Sequence, residues 1–327
     1  MIKIIVVGDI HNMGNNPNCR KDNLPETLNK KLSELVEIVN SNDIDLLIFT
    51  GDLFHTPDIA NQIAKTFGQL LLKINCPIYS LIGNHDIYGG NINSSERSKI
   101  GLLDAFGVLN LFKDNEPIFI EKDNIKLQIT GQSYVSDIDT APDKEKYYCI
   151  NKDSSCDWAL HSIHGFMIDT SLPFPHTSVN EIKHTEADIT VSGHLHYPFE
   201  KRINNKTFIN PGALTRITAS QTELRQPYIL QIEFEKENYT IHKIPINSAP
   251  PFEEVIDRSK LKEDLKEIYN LEAFINSIKS FSAENNVNFE QIVRYLAEKE
   301  NVSENIINMT LNEINKAQEE VFSGGEE

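Results

Sequence analysis

The chain has 327 residues, 39% of them hydrophobic, enough to bury a sizeable core, and its four cysteines show no C-x-x-C spacing. That spacing speaks against thiolate metal knots and disulfide frameworks, and for free thiols in a reducing cytoplasm. A formal charge of −17 argues against a surface built broadly to grip nucleic acid, although bound cations would add positive charge that this count omits. No apolar run approaches the roughly 20 residues that span a bilayer, and no basic segment leads into a long apolar one, so neither a membrane span nor a secretory signal is expected.

Lys3 to Val7 reads as a buried strand ended by Gly8-Asp9. Leu28, Leu32, Leu35, Val36 and Val39 have helical spacing, which predicts a helix over Thr27 to Asn40. Asp45 to Thr50 is a second strand, Ile59 to Ile74 a second helix and Ile78 to Ile82 a third strand. This β-α-β-α-β order predicts a mainly parallel sheet with covering helices. Ile118 to Ile120 and Ile125 to Thr130 flank Asp123-Asn124, a hairpin signal. Trp158 to Ile163 and Ile189 to Ser192 follow as strands. Phe199 to Ile203 and Thr207 to Ile209 flank Asn204-Asn205, and Tyr228 to Phe234 pairs in sequence with Tyr239 to Ile244. A four-layer α/β sandwich, two mixed sheets flanked by helices, accommodates these elements.

Pro250-Pro251 marks a change of pattern, which divides the chain into a catalytic domain, 1–250, and a helical C-terminal region, 251–327. Short amphipathic helices are expected from about Ser259, including Asn288 to Ala297 and Asn305 to Ile314. Such helices either extend the body or dock a partner.

Five clusters carry the chemistry. Asp9 and His11 follow the first strand, Asp52 and His55 the second, and Asn84, His85 and Asp86 the third. In open α/β sheets, ligands bind at that edge. Two carboxylates there repel unless a cation lies between them. His55 reads as a supporting residue. Asn84 offers a neutral oxygen and leaves His85 free to act on a substrate, while Asp86 orients His85 or ties down the loop. His161 and His164 lie in the fourth cluster, with His164 favoured as a ligand and His161 the alternative. His194 and His196, two apart on an extended segment, point the same way. Nitrogen and oxygen donors without thiolate suit Mn, Fe or Zn. Seven are too many for one ion, so two divalent transition metal ions bridged by Asp52 are expected, most simply Mn, with Fe, Zn or Mg as alternatives.

The motifs GDIH, GDLFH, GNHD, a late His-Gly and GHLH resemble the calcineurin-like metallophosphoesterase superfamily over roughly residues 1 to 215. The resemblance implies that Asp9, His11, Asp52 and His196 hold one metal. It gives Asp52, Asn84, His164 and His194 to the other, with His85 as the catalytic histidine. The Gly-Gly loop after GNHD, the Gly101-Leu102-Leu103 helix start, the Asn210-Pro211-Gly212-Ala213-Leu214 segment and the helical tail are similar to the SbcD-type DNA repair exonuclease branch, especially its phage and prophage members. That branch implies DNA as substrate, Gly212 beside the site, an SbcC-like ATPase as partner and a possible homodimer. The alternatives are a phosphodiesterase or phosphatase for small nucleotides or phosphoproteins, which the acidic charge favours, and an inactive metal-bound scaffold.

Overall fold

A computed structural model describes residues 1–170, 175–218, 224–257 and 259. The tail helices expected beyond Ser259 lie outside the described residues. In chain order the first half holds β1 (Ile2–Val7), α1 (Leu24–Ser41), β2 (Leu46–Phe49), α2 (Asn61–Leu71), β3 (Ile78–Ser80), α3 (Lys99–Ala105), β4 (Asn110–Leu111), β5 (Ile118–Lys122) and β6 (Ile125–Gln132). The second half holds α4 (Glu145–Tyr148), β7 (Trp158–Ile163), β8 (Met167–Ile168), β9 (Thr177–Ser178), α5 (Val179–Ile182), β10 (Ile189–Ser192), β11 (Phe199–Ile203), β12 (Lys206–Asn210), β13 (Tyr228–Phe234), β14 (Tyr239–Pro245) and α6 (Phe252–Val255).

The strands form two six-stranded sheets, ordered β14-β13-β1-β2-β3-β4 and β11-β12-β10-β7-β6-β5. In the first, β1 to β4 run parallel and the β13–β14 hairpin adds two antiparallel strands. In the second, β12, β10, β7 and β6 run parallel between the antiparallel edges β11 and β5. The sheets are therefore mixed, as the strand list anticipated. The short β4 and the β8–β9 pair gave no hydrophobic run long enough to read in the sequence.

Alternation along the strands sets the layers. Ile4 and Val6 of β1 meet Leu127 and Ile129 of β6 and Leu160 of β7 between the sheets. Ile5 and Val7 point the other way, onto Leu28, Leu32, Leu35 and Val39 of α1 and Phe67 of α2. Ile163 and Phe208 lie on the outer side of the second sheet, packed with Tyr148 and Val179 of α4 and α5. The order helices–sheet–sheet–helices follows. Each of these fully buried apolar side chains contributes on the order of 1.5–3 kcal/mol. Helix α1 starts at Leu24, three residues before the expected Thr27: the Asn23 side chain caps Glu26 N–H, with proline in the first turn. Both expected hairpin turns place asparagine or aspartate at positive φ, Asp123 at 54°, Asn124 at 62°, Asn204 at 51° and Asn205 at 66°, which matches strand twist. Beyond Pro250-Pro251 the body continues: Phe252, Val255 and Ile256 pack with Cys19. Among the described residues no helix is long and apolar enough to cross a membrane.

Candidate metal centre

Parallel strands deliver the loops that follow them to one edge, and the two sheets present those edges to each other. After β1, Ile10 and His11 donate their N–H groups to Asp52 O (3.1 and 2.9 Å), which laces the first loop to the loop after β2. His11, Asp52 and His194 take left-handed φ values of 47°, 49° and 72°. Non-glycine residues hold such angles at a cost of order 1–3 kcal/mol, and strain of this kind gathers at functional sites. The glycines preceding the clusters admit close approach. A Cβ on Gly83 would collide with the Asp52 carboxylate, and one on Gly193 would stand 2.7 Å from Asp9 Oδ1.

The seven expected ligand residues come together in two groups. Asp9, His11 and His196 each bring a donor atom within 4.8 Å of the others, and so do Asp52, His164 and His194. His11 Nε2 faces His196 Nε2 at 2.8 Å. His164 Nε2 and His194 Nδ1 both face Asn84 Oδ1, at 3.2 and 2.9 Å. Asp52 Oδ2 lies between the groups, 3.6 Å from His11 Nε2 and 3.5 Å from His164 Nε2. Asp9 Oδ2 and His11 Nδ1 are buried with no hydrogen-bond partner. Buried polar atoms normally have partners. Facing imidazole nitrogens, a shared carboxylate and orphaned oxygen fit divalent cations with mixed nitrogen and oxygen coordination.

The electrostatics sort these groups. Burial pushes the Asp9 carboxyl up to about 7, with the Asp52 charge adding to the effect. Burial acts on Asp52 in the same direction, but the His164 imidazole and then His11 outweigh it and hold this carboxyl well below the usual range. Burial would lower His164, yet Asp52 beside it lifts it to about 9. Burial drives His194 and His196 down to about 4 and His11 well below its ordinary value. Those three rings are neutral at neutral pH, the form that offers a lone pair.

Surrounding bonds orient the donors. His164 Nδ1 sits 2.7 Å from Thr50 O, so its N–H donates there and Nε2 turns inward. His85 donates its backbone N–H to Asp52 Oδ1 (2.9 Å) and its ring Nδ1 pairs with His55 O at 2.8 Å, which leaves Nε2 bare. The His55 ring stacks on His85 with centroids 5.2 Å apart. Asp86 accepts from Gly83, Leu53 and Phe54 N–H groups at 3.0, 3.3 and 3.0 Å. It ties two loops together rather than orienting His85.

His161, kept open in the sequence as an alternative ligand, sits on the opposite face of β7. Thr130 Oγ1 and Tyr147 O occupy its two ring nitrogens at 2.8 and 2.9 Å, away from the seven. Residues 161 and 164 are an odd number apart on extended chain, so only one can face inward. Gly212 borders the site through the backbone: a Cβ there would stand 2.7 Å from His196 O. Sequence reasoning missed how this segment works. Ala213 N–H bonds His196 O (3.2 Å), Leu214 N–H bonds Asp9 O (2.8 Å), and Asn210 Nδ2 holds Leu195 O (2.8 Å). Thr50, whose carbonyl holds His164, was also missed, because a backbone acceptor leaves no mark in residue type.

The model of the family described as Calcineurin-like phosphoesterase matches residues 2–198. The double-strand break repair protein mus-23 of Neurospora crassa is 22% identical over 311 residues, 77% of this chain and 40% of that protein. The double-strand break repair protein mre-11 of Caenorhabditis elegans is 23% identical over 176 residues, 40% of this chain and 23% of that one. The chain thus spans less than half the length of these curated relatives. Among solved structures, an archaeal phosphodiesterase has a TM-score of 0.38 at 20% identity, covering 74% of this chain and 100% of that one.

Proposed function

This chain belongs to the calcineurin-like phosphoesterases, and from that premise we propose that it hydrolyses phosphodiester bonds of DNA as an SbcD-like nuclease. It is a metal-dependent hydrolase of phosphate esters. In this reading Asp9, His11, Asp52 and His196 hold one divalent ion, and Asp52, Asn84, His164 and His194 hold the other, most simply both manganese. The observation that carries the assignment is the place of Asp52 Oδ2, within 3.6 Å of one imidazole from each group. Bound there, two such ions would supply charge for the phosphoryl oxygens and a nucleophilic water at neutral pH.

The chain's own residues do the rest. His85 is fixed through its backbone N–H and Nδ1, so Nε2 is the atom that gives a proton to the leaving oxygen. Thr50 and Asp86 keep His164 and the loop of Asn84 in register. DNA as substrate draws support from the names of the two repair relatives. Purified protein is expected to hold about two transition metals per chain. It should cleave both bis-p-nitrophenyl phosphate and linear DNA with manganese and neither after chelation. No metal uptake under manganese loading would end this reading.

The net charge of −17 favours a second reading, a phosphodiesterase for small nucleotides. Cleavage of the chromogenic ester but not of DNA would select it. For the nuclease, an acidic body suits a partner that brings the basic surface. An SbcC-like ATPase bound by the residues beyond Ser259 meets that need, and a homodimer would present two such tails. Removing those residues should leave chromogenic ester turnover and abolish ATPase binding.

A further inference from the structure

We infer that Asp139, on the loop between β6 and α4, is a positioning residue of the second cation group, where it fixes the turn that leaves His164 and directs a negative charge toward His194. The inference rests on the two-metal reading above and adds a residue that no motif in the sequence marks.

Asp139 gathers three chain segments. Its Oδ2 accepts the Phe166 N–H at 2.9 Å, and its Oδ1 accepts the Tyr148 hydroxyl at 2.6 Å and the Thr177 hydroxyl at 2.7 Å. These donors come from the turn after β7, from α4 and from β9. Tyr148 and Thr177 are fully buried, and Tyr148 packs with Ile138, Ile163 and Phe208 on the outer side of the second sheet. A carboxylate presents about four lone-pair sites, so this one side chain can hold all three donors.

The turn held in this way begins at a ligand. His164 is followed by Gly165, and the Tyr148 hydroxyl packs so closely there that an added Cβ would collide with it. Phe166 gives its N–H to Asp139, and its carbonyl accepts from Thr177 N–H at 2.9 Å. Upstream, His164 N–H bonds Gln132 O at 3.0 Å. The backbone is therefore tied on both sides of the ligand, and downstream the tie runs to the Asp139 carboxylate. The same charge reaches the other imidazole of the group. Burial and then the His164 charge hold His194 low, and Asp52 followed by Asp139 oppose them. Asp139 is not one of the residues whose donor atoms converge in the centre, so it acts through its neighbours. Residues that orient ligands from outside in this way tune the affinity of the cation.

The test is manganese titration of the metal-free full chain, read by calorimetry. Asp139→Asn keeps the shape and an acceptor for Phe166 N–H, and its amide can donate to a hydroxyl that turns to accept, while the charge is gone. One ion should then bind about 10- to 100-fold more weakly and the other near its native affinity. In His194→Ala the remaining ion belongs to the first group, so adding Asp139→Asn should leave its affinity unchanged, which identifies the weakened site. Tyr148→Phe keeps the carboxylate and its bond to Phe166 and should retain both affinities. An equal fall for both ions in Asp139→Asn, or a further fall in the double variant, would mean that Asp139 serves the fold at large and would overturn the inference. So would native affinity for both ions in Asp139→Asn, or an equally deep fall in Tyr148→Phe. In each of these cases the unaltered chain still takes up two ions and the metal reading stands. Uptake of none by the unaltered chain would overturn that reading and this inference with it.

Discussion

The two sheets are built alike, four parallel strands with antiparallel company, yet their loops bring different chemistry to the shared edge. The first sheet supplies both carboxylates, Asp9 and Asp52, together with Asn84, His11 and His85. The second supplies imidazoles alone, His164, His194 and His196. Adjacent carboxylates resist ionising together. Facing them with imidazoles relieves the problem: His164, lifted to about 9, holds Asp52 ionised. Neutral His194 and His196 add donors without adding charge. Both carboxylates are thus kept on one sheet and face imidazoles from the other, and neither sheet holds a complete site.

The largest test of this division is Asp52→Asn. It removes the charge that both groups share, so both metals should be lost and turnover should fall by at least about 10⁴. His194→Ala, taken from the second sheet, should empty mainly one site. Elemental analysis showing equal loss in the two variants would break the asymmetry. His85→Gln comes next. Metal content should persist while turnover falls by about 10²–10⁴. The fall should be deeper for DNA, whose alkoxide is a poor leaving group, than for bis-p-nitrophenyl phosphate. Equal losses on the two substrates would make His85 a charge stabiliser, and loss of metal would make it a ligand.

Asp86→Asn is expected to act more weakly, since it loosens the tie between the second and third loops of the first sheet. Metal affinity should drop about 10- to 100-fold, as for other supporting residues, and a titration showing native affinity would remove Asp86 from the site. The smallest effect on turnover belongs to His161→Gln, on the outer face of the second sheet. Burial lowers His161 from 6.5 to about 4. Below pH 6.5 the unfolded chain protonates this ring while the folded chain does not, so folding free energy is lost as pH falls toward 4. At pH 5 that loss is about 2 kcal/mol. Urea melts of the metal-free proteins should show the wild type losing about 2 kcal/mol more than the variant between pH 7 and pH 5. Parallel losses would mean that the ring is already charged in the fold.

Much of this was legible in the chain itself. Gly-Asp after each of two buried apolar runs and Gly-Asn after a third mark strand ends, and three such ends with helical patterns between them demand one sheet edge. Those facts locate Asp9, Asp52 and Asn84 without coordinates, because strand period and connection rules act over short stretches. The hairpins at Asp123-Asn124 and Asn204-Asn205 were readable for the same local reason. Which of His161 and His164 turns inward was not, since that depends on which face of β7 meets the first sheet. Nor was the lacing of Leu214 to Asp9, of Thr50 to His164, or of Asp86 to Leu53 and Phe54. Each of these bonds has at least one backbone partner far away in sequence, and a backbone N–H or carbonyl is the same in every residue that carries one. The residue types and their strand-end positions were determined by the sequence alone; which donors face one another was decided only when the two sheets packed and their loops closed on a common edge.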